Sequence, residues 1–243
     1  MKTVSIVLPA YRWRRGLRAT IGRLSRQARP LPWRAEILVV LSPGVRLSPA
    51  ALDTGSRFVE VRVLEAGAAE ADVRLIRTGV LASAGDFVLV LGADCSVPLA
   101  ELNKLMPHFQ RGAHVVIGSR YLGAGARRRH PWHRRLGHAL MNFLVQQVLL
   151  TDIRDSRCGF KCFRGPVARQ VYSMVQASGP GADLEALTLA RHLGYTVVEV
   201  PVRWRPLRRR SAVRFRDACR FLMSLLRIRW RTLGWRCAAE QAV

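Results

Sequence analysis

Short runs of aliphatic and β-branched residues alternate with stretches of helical period through the first half of the chain. Thr3–Leu8, Glu36–Leu41, Val59–Leu64, Phe87–Leu91 and His114–Ser119 read as strands. Between them, Trp13–Arg26, the segment near Asp72–Ala84 and Leu99–Phe109 carry helical patterns, and Ser42–Arg57 is loop-rich. The alternation predicts an α/β fold with a doubly wound, mostly parallel sheet. In such a sheet the ligand lies beyond the carboxyl ends of the strands. The positions to inspect are therefore Pro9–Tyr11, Leu41–Gly44, Gly92–Ser96 and Ser119–Tyr121. No G-x-G-x-x-G follows the first strand, which argues against a dinucleotide-binding domain.

The second half changes character. Arg120–Arg135 is a basic loop with six arginines, and Arg134–Leu150 reads as an amphipathic helix. Gly165–Gln176 and Asp183–Leu193 are further helices, the latter ended by Gly194, and Thr196–Val202 is a late strand. Val213–Arg231 is a final helix. No repeat or low-complexity linker divides the chain, so one domain (1–206) with a basic, amphipathic, membrane-facing tail (207–243) in the same unit is the simplest organisation.

The 243 residues suffice for one α/β core, and 49% are hydrophobic. A net charge of +24 draws the chain toward polyanions: nucleic acid, anionic headgroups or phosphorylated small molecules. Five irregularly spaced cysteines make a poor disulfide framework and fit a reducing compartment. Cys158-x3-Cys162 lacks a second Cys/His pair at zinc-ribbon spacing and reads as core. His130, His133 and His138 are also poorly spaced for a metal. No apolar run reaches the roughly 18–20 residues that cross a bilayer. Met1–Pro9 lacks the features of a signal peptide and reads as a strand.

Several segments, in order over Val4 to Trp230, carry a resemblance. They are Ile6-Val7-Leu8-Pro9-Ala10-Tyr11, Arg77-Thr78-Gly79, Ala84-Gly85-Asp86-Phe87-Val88-Leu89-Val90, Ala93-Asp94 and Val115-Val116-Ile117-Gly118-Ser119-Arg120-Tyr121. Downstream stand Asp155, Cys158-Gly159-Phe160-Lys161, Phe163, Asp183-x-Glu185 and Gly194-Tyr195-x-Val197-x-Glu199-Val200-Pro201-Val202-x-Trp204. Together they resemble family-2 glycosyltransferases of the dolichyl-phosphate mannosyltransferase (or glucosyltransferase) type. The resemblance implies a GT-A fold and an inverting transfer of sugar from a nucleotide to a polyprenyl phosphate at the cytosolic membrane face.

That chemistry needs few groups. A leaving nucleoside diphosphate needs its developing charge neutralised, which a carboxylate-held divalent cation does well. The acceptor phosphate is already an anion and needs cationic placement, which arginine forks supply. By this matching Asp94 is the carboxylate for Mg²⁺ or Mn²⁺, and Pro9, Tyr11, Gly92, Ala93, Asp94 and Ser96 border the nucleotide. Arg120 with Arg134 and Arg135 holds phosphate. Asp155 and Asp183 sit at the sugar with Glu185 in support, and Lys161 and Ser211 line the far side. Asp94, Arg120, Asp155 and Asp183 are the catalytic set.

The donor half departs from the family pattern. Leu41-Ser42-Pro43-Gly44 stands where an Asp-Asp-Gly-Ser run is usual, Gly92 replaces the first acid of Asp-x-Asp, and Ser96 replaces a Gln. Arg12, Arg14, Arg15 and Arg18 offer an alternative source of positive charge for the diphosphate. An inactive homologue that binds polyprenyl phosphate, or scaffolds a partner transferase, is the second reading.

From Arg203 to Arg236 there are twelve arginines. Arg216, Arg220, Arg227 and Arg231 share one helical face, with Phe215, Cys219, Leu222 and Leu226 opposite and Leu225 at the edge. A basic amphipathic helix of this kind fits an anionic membrane surface, hence a peripheral location on the cytoplasmic side, with a membrane-protein partner as a further candidate. No zinc-finger spacing, helix-turn-helix or RNA-recognition signature supports nucleic acid as the partner.

Overall fold

The computed structural model describes residues 2–10, 17–45, 47, 58–66, 75–92, 95–122, 143–150, 152–177, 180–205 and 221–232. In chain order the elements are β1 (Thr3–Ala10), α1 (Leu17–Ala28), β2 (Arg34–Leu41), β3 (Val59–Glu65), α2 (Leu75–Leu81) and β4 (Phe87–Leu91). A 3₁₀ turn (Leu99–Glu101) then leads into α3 (Leu102–Gln110), followed by β5 (Val115–Ser119) and α4 (143–148). The rest are β6 (Phe160–Arg164), α5 (Gly165–Met174), α6 (Pro180–His192), β7 (Val197–Pro201) and α7 (221–232).

Seven strands form one sheet in the order β3-β2-β1-β4-β6-β5-β7. All pairings are parallel except those of β6, which runs antiparallel between β4 and β5. The central strands are buried on both faces, which explains why they read as continuous Val/Ile/Leu runs rather than as alternating patterns. One core layer joins the sheet to α1 and α3. The other joins it to α2, α5, α6 and α7.

The sequence pattern misses β6. Its Phe160-Lys161-Cys162-Phe163 core carries a lysine that breaks the apolar run, yet Lys161 is fully buried. The strand survives because the Lys161 ammonium finds the Cys158 carbonyl at 2.5 Å and the Asp183 carboxylate at 3.0 Å. A buried charge is tolerated when paired and hydrogen-bonded. The helix expected near 72–84 is described from Leu75 and ends at Leu81, short of Ala84.

The final helix differs from its predicted orientation. Phe221, Leu225 and Ile228 form its core face, so Leu225 belongs to the core rather than to the edge of the Leu222–Leu226 face. Arg231 does not face outward with a basic stripe; its guanidinium bonds Glu185 of α6 at 2.8 Å. Glu185 is fully buried and also accepts from the backbone N–H groups of Gln176 and Ala177. It ties α7 and the α5–α6 turn together and is no support for a sugar.

Candidate active site at the carboxyl edge of the sheet

β1, β2, β4 and β5 end on one edge, and because β6 is antiparallel its first residues start on that same edge. Two groups of residues meet there. The first is the turn after β4. Gly92 donates its N–H to the Gly159 carbonyl at 2.6 Å, and Cys95 donates back to the Gly92 carbonyl at 2.8 Å. Cys95 takes φ 42°, a left-handed conformation uncommon for a residue with a Cβ. A Cβ on Gly159 would lie 2.8 Å from the Gly92 Cα. The glycine of Cys158-Gly159-Phe160-Lys161 is thus required by the approach of the β4 turn. Ser96 donates no hydrogen bond from its buried hydroxyl among the described residues, while its carbonyl accepts from Arg205 N–H at 2.7 Å.

Pro9 lies in β1 beyond Val7, the last residue paired with β4. Its missing N–H therefore removes no bond on that side. Tyr11, Arg12, Arg14, Arg15, Ala93, Asp94, Arg134, Arg135 and Ser211 lie outside the described residues, as do His130, His133 and His138. Arg18 is exposed on α1.

The second group is built around Asp155, which is fully buried. It accepts from Arg120 three times: from the backbone N–H at 2.8 Å, Nε at 2.8 Å and NH2 at 2.7 Å. The guanidinium also lies 5.8 Å from the ring centroids of both Tyr121 and Trp204. Burial alone would weaken the arginine's charge, but the hydrogen bonds and attraction of Asp155 outweigh it and hold Arg120 protonated beyond its ordinary range. Asp155 thus serves Arg120 and presents no oxygen to the surface. The turn before it is held by Glu199, which accepts from the Arg154 N–H at 2.9 Å.

Lys161 and Asp183 form a second pair. Asp183 stands in the first turn of α6, where the helix dipole favours a carboxylate. One oxygen takes Lys161; the other, Oδ1, is buried without a hydrogen bond among the described residues. Cys158 links the two pairs: its N–H donates to the Asp155 carbonyl at 3.2 Å and its carbonyl accepts Lys161. The fold thus brings Arg120, Asp155, Lys161 and Asp183 together, with Gly92 and Ser96 on the neighbouring turn. Sequence reasoning missed Trp204 as a neighbour of Arg120, although its motif was visible, and missed Glu101, Arg203 and Arg205.

Among the described residues no cluster of three or more His, Cys, Asp or Glu side chains is placed to hold a metal. Gly92 brings no ligand, so Asp94 is the only carboxylate that Gly92–Ser96 offers. That set does not make a metal site by itself; a hard cation there would depend on phosphate oxygens for most of its shell.

The parallel sheet with its carboxyl-edge site is the GT-A glycosyltransferase architecture. Residues 5–171 match the profile described as Glycosyl transferase family 2, and the chain belongs to that family. It is 24% identical over 208 residues to a dolichyl-phosphate beta-glucosyltransferase of Dictyostelium discoideum, covering 81% of this chain and 63% of that protein. It is 28% identical over 203 residues to the dolichol-phosphate mannosyltransferase of Pyrococcus furiosus, covering 82% and 55%. The chain thus spans less than two thirds of the Dictyostelium protein's length, and 37% of the length of a Haloferax volcanii glycosyltransferase to which it is 27% identical. Among solved structures, glucosyl-3-phosphoglycerate synthase from Mycobacterium tuberculosis, in complex with Mn²⁺, uridine diphosphate and phosphoglyceric acid, superposes with a TM-score of 0.67. That match has 19% identity and covers 94% of this chain and 78% of the other. At that identity the likeness speaks for the fold alone.

Proposed function

We propose that this chain transfers a sugar from a nucleotide-sugar to a polyprenyl phosphate, with inversion. The observation that carries the reading is the Arg120–Asp155 pair at the end of β5. Asp155 occupies Nε and NH2, so the fork is locked, and NH1, which makes no hydrogen bond among the described residues, is assigned to a phosphate oxygen. A phosphate nucleophile needs no base, so orientation supplies most of what the step requires. Lys161 is spent on Cys158 and Asp183, and it orients Asp183 on the sugar side of the site. Arg134, Arg135 and Ser211 are assigned to the acceptor phosphate and Tyr11 to the nucleotide. Mg²⁺ or Mn²⁺ bound by Asp94 and the diphosphate would neutralise leaving-group charge.

The exposed face of α7 supports a peripheral position on an anionic membrane. Leu222 (37% exposed), Met223 (52%), Leu226 (60%) and Trp230 (81%) form one outward apolar arc. At about 100° per residue, Arg229 and Arg227 flank that arc on its two sides. Apolar residues bracketed by cations fit an interface between headgroup and acyl chain. Among the described residues no helix is long and apolar enough to cross a membrane. We assign the cytosolic face, and a membrane-protein partner remains compatible with the same arc. Flotation with anionic liposomes should retain the parent and lose most of a Leu226→Ser/Trp230→Ser variant; equal flotation of both would remove the assignment.

The test of the activity is a panel of nucleotide-sugars offered with polyprenyl phosphate and Mn²⁺ or Mg²⁺. Glycolipid should form, and Arg120→Lys should reduce it by about 100-fold. The absence of acids at Leu41–Gly44 and at Gly92 favours one second reading: a homologue that binds polyprenyl phosphate without turnover. Lipid-phosphate binding that depends on Arg120, with no donor consumed, would select it.

A further inference from the structure

Four consecutive residues after β7 touch both halves of the site. Val202 donates its N–H to the Ser119 carbonyl at 3.1 Å, at the end of β5. Arg203 donates its N–H at 3.1 Å and its Nε at 2.5 Å to Glu101. Trp204 faces the Arg120 guanidinium, and Arg205 donates its N–H to the Ser96 carbonyl at 2.7 Å. The segment therefore contacts, in turn, the end of β5, the 3₁₀ turn, Arg120 and the turn after β4, hereafter the donor loop.

Glu101 is the anchor. It is fully buried, although it sits only a few residues past the donor loop, and Lys104 at 2.6 Å completes its partners. The Arg203 side chain is 65% exposed, so little of it packs against the core. A buried carboxylate that spends two bonds on one exposed arginine's backbone and side chain fixes the chain direction there more than it fills the core.

We infer that Glu101 and Arg203 are positioning residues: they hold residues 202–205 as a bridge that sets the donor loop at Gly92–Ser96 against Arg120. The inference rests on the proposed reading for what the two halves bind, and on geometry alone for the coupling. Each half can bind its ligand separately while the bridge is loose; transfer needs both at once, in line. The basic run Arg208–Arg210 follows within a few residues, so the bridge also joins the catalytic edge to the arginine-rich part of the chain.

Two variants test it. Arg203→Ala removes a largely exposed side chain but also one partner of the buried Glu101, which keeps Lys104 and the residue-203 N–H, so the melting temperature should fall modestly while the fold is retained. Glu101→Gln keeps an acceptor for the Arg203 N–H and removes the charge. Amide hydrogen exchange should quicken by about fivefold or more in the peptide spanning 95–98 in Arg203→Ala, with the β1 and β4 peptides unchanged. In turnover, kcat should fall by about tenfold in Arg203→Ala while the KM values for donor and acceptor stay within about twofold, with Glu101→Gln intermediate. Unchanged exchange at 95–98 in Arg203→Ala overturns the bridge, as does a kcat within twofold of the parent. If the parent turns over no donor, the exchange result alone decides: quickened exchange keeps the bridge while the transferase reading fails.

Discussion

The two halves of the carboxyl edge are built from different materials. The acceptor half is a set of buried charges in pairs, Arg120 with Asp155 and Lys161 with Asp183, joined through Cys158. The donor half, as far as Gly92, Cys95 and Ser96 show it, is held by backbone hydrogen bonds and a close glycine contact. Buried pairs must be complete to be tolerated, so substitution there should be felt at once in stability. A backbone-held turn has no charge to strand, and substitution there should act through spacing.

The largest expected effect follows directly. Asp155→Ala leaves the Arg120 guanidinium with neither of its two side-chain bonds. Breaking a buried pair by removing one partner costs about 3–5 kcal/mol. Urea unfolding should show a loss in that range, and transfer should fall by about 100-fold or more because the fork is no longer oriented. A loss below about 1 kcal/mol would mean that the acceptor half is not built on its pairs. Gly159→Ala is the matching probe of the donor half. The added methyl meets the Gly92 Cα at 2.8 Å, backbone that can only yield by moving the turn. Overpacking of this kind costs about 1–3 kcal/mol. Donor KM should rise several-fold while Arg120-dependent binding of lipid phosphate is kept; loss of both together would erase the distinction between the halves.

The same contrast explains what the sequence could and could not reveal. The strands were legible because a sheet buried on both faces selects uninterrupted apolar runs, as in Phe87–Leu91. β6 was hidden because Lys161 interrupts it, and the partner that makes it tolerable, Asp183, comes 22 residues later. The family motifs mark residues without separating their duties. Arg77 donates to the carbonyls of Tyr172 and Ser173 and fastens α2 to α5, and Glu199 holds the turn before Asp155. Neither meets the candidate site directly. The Glu101–Arg203 contact spans 102 positions and follows no period, so no local pattern could announce it. Asp94, Arg134, Arg135 and Ser211 rest on the resemblance alone.

Glu101 gives a smaller effect with a defined sign. Burial works to raise its pKa, but Lys104 and Arg203 outweigh that and hold it below the ordinary value of 4.5. The folded state therefore binds this proton less readily than the unfolded state. The contribution is fully present above pH 4.5 and is lost as pH falls through the lower native value. Comparing the parent with Glu101→Gln, the stability gap should be constant from neutral pH to about that point and shrink below it. A gap that grows with acidification would contradict the sign.

The least energetic of these effects resolves the comparison most finely. Burial pushes the Cys158 thiol up to about 12, with the Asp155 charge adding to the rise and Arg120 and Lys161 opposing it. Cys162 is pushed up by burial as well, opposed by a backbone hydrogen bond. At pH 8 both thiols should resist alkylation, since about one Cys158 in 10⁴ is ionised. Asp155→Asn keeps the side chain's shape but removes the anion and leaves Arg120 in place. The Cys158 thiolate is then favoured, and its labelling should quicken, while Cys162, inside β6, should not respond. Peptide mass spectrometry after timed alkylation separates the two. Equal quickening at both positions would show that the substitution loosens the whole core, and that the acceptor half is not an electrostatic unit distinct from the sheet beneath it.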